Sequence, residues 1–239
     1  MSKHRNRPGL ANPTPTTLTA ATPPQPKTKP QHPGANKDAL PKPAWRPFYR
    51  KTDWLLAGIT TLITLAVYLC TLAPDLTLED SGELATASFY LGVPHPPGYP
   101  VWTLYTWLFT VLLPFSNIAW RVAVSSAVAG AAACGLITLV TNRFITLLRP
   151  TLLRQSPAVG DATLQHCASI VAGLLMAVNG YFWSQAVIVE VYTLSVLSLM
   201  TVVALLLRWA YQPDFRRYLY LAMFAFGVTL TNQHPCNTI

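Results

Sequence analysis

The sequence predicts an all-α integral membrane protein, a bundle of several transmembrane helices behind a basic tail. Three observations carry that prediction. Only 11% of the 239 residues are charged, whereas soluble domains carry about 25%. Long apolar runs recur after Asp53. Ten of the seventeen Lys and Arg stand ahead of the first run, in residues 1–52.

That tail is its own region. It also holds eleven of the twenty-one prolines, with few large apolar residues, so it cannot offset the entropy of ordering and reads as disordered. It is no signal peptide, because the first apolar run starts more than fifty residues in and is too long for one. No aromatic residue precedes Trp45 among its basic residues, which argues against a nucleic-acid platform. Residues 53–239 form the membrane domain. The four cysteines, Cys70, Cys134, Cys167 and Cys236, show no C-x-x-C spacing, and they read as small apolar filler rather than disulfides or a zinc site.

The first span is Trp54 to Ala73, twenty residues that match a hydrocarbon core of about 30 Å. The basic tail should stay cytoplasmic, which puts the acidic loop carrying Asp75, Glu79, Asp80 and Glu83 outside. The next run, Val101 to Phe115, is short and contains Pro114. If it crossed, Arg143, Arg149 and Arg154 would fall outside. We therefore expect it to lie along the outer surface, where Trp102, Tyr105 and Trp107 suit the interface. The second span is then Val122 to Thr141, rich in the small residues that let helices pack closely. Arg143 to Gln165 reads as a cytoplasmic connection with Pro150 and Pro157. Ala168 to Ser184 returns outward, Gln185 to Tyr192 forms a polar turn, and Thr193 to Trp209 goes back in. A fifth span starts at Leu219 and meets Thr231, Asn232, Gln233 and His234 before it could cross. A helix ending in polar residues at membrane depth would leave backbone groups unsatisfied, so the expectation is a longer protein of which this is an N-terminal part.

The acidic loop offers chemistry and a structural alternative. A carboxylate there could act as a general base or bind a divalent cation. Asp80 followed by Glu83 also has the spacing of a helix N-terminal capping box. His95 lies in the rigid run Pro94-His95-Pro96-Pro97, placed either to meet a phosphate or simply as a solvated side chain on a stiff connector. Glu190 is flanked by Val187-Ile188-Val189 and Val191-Tyr192. An acid at membrane depth is a functional candidate, and at headgroup level it needs no partner. Arg121 stands at the outer start of the second span, against the positive-inside trend, where it could meet a lipid phosphate or be a tolerated exception. Asn232 and His234 either line an interior site or mark the end of the fifth span.

Taken in order, Glu79-Asp80-Ser81-Gly82-Glu83-Leu84, Leu91-Gly92-Val93-Pro94-His95-Pro96-Pro97-Gly98-Tyr99-Pro100, Phe182-Trp183-Ser184-Gln185-Ala186 with Glu190-Val191-Tyr192, and Leu230-Thr231-Asn232-Gln233-His234 form a recognisable series. They resemble the bacterial membrane proteins of unknown function related to the animal plexin-type O-mannosyltransferase. The resemblance covers about residues 54 to 239 and excludes the tail. That family is similar in layout to the C-type membrane glycosyltransferases. The resemblance implies a multi-helix bundle with interfacial helices in the first outer loop and a polyprenyl-phosphate sugar donor whose lipid phosphate leaves. It further implies a hydroxyl acceptor on a protein or glycan, at the outer side of a bacterial cytoplasmic membrane. It makes Asp80 the catalytic residue of the acidic loop, with Glu83 supporting it and Glu190 as a second outer acid. Glu79, His95, Arg121, Gln185, Asn232 and His234 are the candidate substrate-binding residues, and metal dependence stays open. Gln233 departs from the pattern, which leads one to expect a second histidine beside His234.

Two other classes compete: a transporter or lipid flippase with Glu190 and Asn232 along its path, and a scaffold whose Pro-rich tail recruits partners. Transporters place charges near the midplane, often in repeated halves. Here the acids cluster in a loop and no repeat is visible, which favours the enzyme.

Overall fold

The computed structural model describes residues 47–77, 80–94, 98–153 and 161–232, and every regular element among them is an α-helix. The frame consists of α1 (Lys51–Cys70), α4 (Ile118–Leu153), α5 (Asp161–Ala177) and α7 (Tyr192–Tyr211). Helices α2 (Ser81–Tyr90) and α3 (Pro100–Leu112) fill the link from α1 to α4. The short α6 (Gly180–Ala186) follows α5, and α8 (Arg217–Asn232) packs beside α7. Among the described residues, α1, the stretch Ile118–Leu148 of α4, and α7 are each long and apolar enough to cross a membrane, with α5 and α6 making a fourth span if the bent pair is one.

Helix α4 is the central element, packed against α1, α3, α5 and α7. Its side chains explain why. Ala123, Ala127, Ala131 and Cys134 are buried and small, so neighbouring backbones come close. A Cβ at Gly135 would meet the backbone carbonyl of Ala57 in α1 at 2.9 Å, and one at Gly173 would meet that of Cys134 at 2.8 Å. Both glycines mark helix crossings that admit no side chain. Two buried hydroxyls find acceptors at the α1–α4 contact, as an apolar interior favours: Thr60 donates to Leu56 O at 3.0 Å, and Thr138 donates to Thr60 Oγ1 at 3.1 Å.

Three expectations change. The helix of the second span does not stop near Thr141: α4 runs on through Arg143 and Pro150 to Leu153, 36 residues or roughly 54 Å, so the first part of the expected connection is helical. Arg143 marks no loop: its guanidinium is buried against Asp53, with Nε 3.3 Å from Oδ2, and once paired it can remain in a helix. The outward span from Ala168 to Ser184 is not one helix either. It breaks after Ala177 and bends by 67°, and Asn179 caps the second piece by accepting from Phe182 N at 3.1 Å. Finally, α1 begins at Lys51 rather than Trp54, because Asp53 in its first turn accepts from Arg50 N at 2.7 Å and suits the positive end of the helix dipole.

Helix α3 has 13 residues, about 20 Å, which is short of a bilayer crossing. Its buried face is Trp102, Thr103, Thr106 and Thr110, while Leu104, Leu108, Val111 and Leu112 point outward. A thiol placed at Ser116, in a chain whose own cysteines are replaced by Ser, is expected to react with a membrane-impermeant reagent added from outside. Reaction only from the cytoplasmic side would mean that α3 crosses.

Candidate functional site

The acidic loop and the Glu190 segment meet at one end of the bundle, where α1 and α6 end and α4 and α7 begin. Three hydrogen bonds hold them there. Ala73 N donates to Val187 O at 2.9 Å, Asn117 Nδ2 to Pro74 O at 3.0 Å, and Trp183 Nε1 to Thr71 Oγ1 at 3.0 Å.

Helix α2 starts at Ser81, whose Oγ lies 2.6 Å from Thr77 Oγ1. Asp80 occupies the N-cap position, is exposed, and its side chain makes no cap hydrogen bond. The capping box expected from spacing is therefore not formed through Asp80. Leu84, Ala85, Ala87 and Ser88 turn inward, and Ser88 Oγ sits 2.8 Å from Thr106 Oγ1, fastening α2 to α3. Gly98 turns the chain into α3 with φ +79°, where a Cβ would lie 2.7 Å from Val93 Cγ1. Only glycine fits such a turn. Tyr99 then takes the N-cap of α3, with Pro100 at its first position, where the missing N–H costs nothing.

Trp102, one turn beyond Tyr99, is 1% exposed and donates from Nε1 to Glu190 O at 3.2 Å. Ser126 Oγ on α4 donates to the same carbonyl at 3.2 Å. These two bonds fix the bend between α6 and α7. Glu190 itself is 7% exposed and accepts from Val191 N at Oε2, 3.0 Å away, so its carboxylate is enclosed by the protein. The Tyr99 hydroxyl senses the whole group. Burial first, then the carboxylates of Glu190, Asp80 and Glu83, raise its pKa above the ordinary phenol value. All three sequence-predicted catalytic acids thus lie within electrostatic reach of one tyrosine.

The remaining candidates divide. Arg121 donates to the carbonyls of Thr110, Phe115 and Ser116 at 3.1, 3.0 and 2.9 Å, clamping the end of α3 and the turn after it. Gln185 is buried on α6, and among the described residues its Oε1 has no hydrogen-bond partner. Asn232 is the last residue of α8. Glu79, His95 and His234 lie outside the described residues. Among the described residues, no three His, Cys, Asp or Glu side chains gather as a metal-binding group. Sequence reasoning assigned no role to Tyr99 or Ser126, and it gave Trp102 to the membrane interface, whereas its ring is buried because Nε1 reaches the Glu190 carbonyl. The signal for Tyr99 was its place between a turn glycine and a helix-starting proline.

Comparison with known proteins gives consistent relatives. The profile of the family described as the Protein O-mannosyl-transferase TMEM260 N-terminal domain matches residues 80–237. The mouse Protein O-mannosyl-transferase TMEM260 is 31% identical over 172 residues, covering 71% of this chain and 22% of that protein. The Dictyostelium discoideum Protein O-mannosyl-transferase tmem260 is 28% identical over 178 residues, covering 70% of this chain and 20% of that one. The chain spans about a fifth of the length of these curated relatives. No solved structure matches it.

Proposed function

Because the chain belongs to the family of the Protein O-mannosyl-transferase TMEM260 N-terminal domain, we propose that it forms the N-terminal part of a membrane glycosyltransferase. The enzyme moves a sugar, mannose by the relatives' names, from a polyprenyl-phosphate carrier to a hydroxyl on a protein or glycan. The observation that supports this reading is that the acidic loop and the Glu190 bend meet at one end of the bundle, tied by Ala73 N to Val187 O and by Trp102 Nε1 to Glu190 O.

In the proposed reaction Asp80 accepts the proton of the acceptor hydroxyl. The freed oxygen attacks the anomeric carbon, and the bond from that carbon to the lipid phosphate oxygen breaks. The phosphate leaves with the electron pair. Asp80 suits the base because it is exposed at the start of α2 and its side chain is not used as a helix cap. Glu190, held from behind by Trp102 and Ser126, suits a fixed negative group beside the oxocarbenium-like centre. Glu83 supports Asp80 from the first turn of α2. Glu79, His95, Gln185, Asn232 and His234 remain the proposed contacts to donor and acceptor. Arg121 keeps that role only if its present carbonyl contacts give way. This reading places the site on the outer face of a bacterial cytoplasmic membrane, the N-terminus inside, in a C-type layout with α2 and α3 at the interface.

The test is transfer of labelled mannose from a polyprenyl-phosphate donor to a Ser- or Thr-containing acceptor by membranes bearing the full-length protein. We expect label on the acceptor. Membranes that hold the folded protein and bind the donor yet transfer nothing would return the field to a transporter, a flippase or a scaffold.

A further inference from the structure

Between α2 and the start of α4 runs a groove of about 390 Å³. Gly82, Phe89 and Tyr90 line it on the α2 side, Asn117 and Ile118 on the α4 side, and Asp75 of the acidic loop joins the lining. Phe89 and Tyr90 are exposed, their rings edge to face with centroids 5.0 Å apart. Asp75 is exposed as well, and its Oδ1 accepts from Leu76 N at 2.8 Å. The exposed Asp80 stands two residues before Gly82, at the N-terminal end of the same helix. Among the described residues, neither Asp75 nor Asp80 is paired with a cation. The basic side chain that this end of the bundle holds among the described residues is Arg121. Its guanidinium is taken up by the carbonyls of Thr110, Phe115 and Ser116.

We propose that this groove seats an extended acceptor peptide, with a Lys or Arg of the peptide at Asp75 and its apolar parts along Phe89, Tyr90 and Ile118. Charge complementarity selects that occupant. A phosphate-bearing donor or an anionic lipid would bring its charge beside carboxylates that no neighbouring cation offsets, whereas a basic side chain pairs with Asp75. The exposed aromatic rings suit a peptide too, since they give contact area to its apolar parts and a face to a cation. Helix α2 carries both Asp80 and the groove wall, so a peptide lying along it is led past Asp80. That the bound peptide is an acceptor, and not a ligand only, rests on the transferase function proposed above. That it is a basic peptide rests on the groove.

The experiment uses the full-length protein in detergent and two short peptides bearing a neutral fluorophore. Each has one central Thr, flanked by Lys in the first and by Glu in the second. Fluorescence anisotropy measures binding, and sugar transfer is measured separately. The Lys peptide should bind about threefold to fivefold more tightly at low salt, the scale of one exposed ion pair. The difference should shrink in about 1 M salt, where charges are screened within about 3 Å. Asp75→Asn keeps an oxygen that can accept from Leu76 N and should erase most of the difference. Gly82→Leu tests the groove itself. A Cβ at Gly82 meets nothing within 4 Å, and Leu favours a helix more than Gly does, so α2 should persist while both peptides bind more weakly. Equal binding of the two peptides, a difference unchanged in Asp75→Asn, normal binding by Gly82→Leu, or displacement of the peptide by the polyprenyl-phosphate donor would each overturn the proposal. Binding with the Lys preference but without transfer would uphold the groove and sink the transferase reading. Transfer without the preference would do the reverse.

Discussion

Replacing Asp80 by Asn is expected to remove most sugar transfer while leaving the amount of folded protein unchanged. Asn is as good an N-cap residue as Asp, and the Asp80 side chain makes no cap bond in any case, so α2 should persist. What disappears is the charge and the capacity to take a proton. General base catalysis contributes about 10²–10⁴-fold, and a loss within that range is the expected result at equal protein level. Glu83→Gln should lose less, because Glu83 only supports the base. Glu190→Gln separates the roles further: its backbone carbonyl would still be held by Trp102 and Ser126, so any loss of transfer reports on the carboxylate alone. Near-normal transfer by Asp80→Asn would move the base to another residue, with Glu190 first in line.

The second large effect is structural. Asp53→Ala should destabilise the bundle by about 3–5 kcal/mol, the usual consequence of removing one partner of a buried ion pair. Asp53 is 2% exposed. Its carboxylate meets Arg143 Nε at 3.3 Å, Asn142 Nδ2 at 2.7 Å and Arg50 N at 2.7 Å. Without it, Arg143 stays buried beside the Phe48 ring and loses its carboxylate. Asp53→Asn should cost less, since the amide oxygen can still accept from its neighbours. Thermal unfolding in detergent measures the loss, and a second substitution explains it. Adding Arg143→Met to Asp53→Ala should restore much of the stability, because an apolar side chain in place of a lone charge is often neutral or better. A double variant as unstable as Asp53→Ala would show that the carboxylate matters for something other than its charge.

The helical class, the apolar spans and the acidic segments were legible because each depends on composition over a window of residues. Features that depend on a partner far along the chain were not. Asp53 looked like the boundary of the basic tail, and Arg143 and Pro150 looked like a loop. Only the contact of Asp53 with Arg143, across α1 and α4, buries those two side chains. The break within the outward span did leave a local mark, Asn179-Gly180, a pair of turn-forming residues inside an apolar run. Glu190 was conspicuous by its apolar neighbours, yet its burial rests on Trp102 and Ser126 arriving from two other helices. The capping spacing at Asp80 was a true pattern that the folded loop does not use. Whether these acids act in catalysis is a matter for the substitutions above.

The bend between α5 and α6 ties two distant parts of the chain into one unit of inheritance. Where a helix stops inside a bilayer its last carbonyls lose their partners. Here Ala177 O is met at 2.9 Å by the buried hydroxyl of Tyr68, which belongs to α1. The angle at which α6 leaves, and with it the setting of Gln185 and Glu190, is thus underwritten by a side chain more than a hundred positions earlier. A change at Tyr68 that spared α1 would still be felt at the acidic end of the molecule. Position 68 and positions 177–179 should therefore drift together in descent, the phenol surviving wherever the helix is broken and free to vary wherever it runs straight.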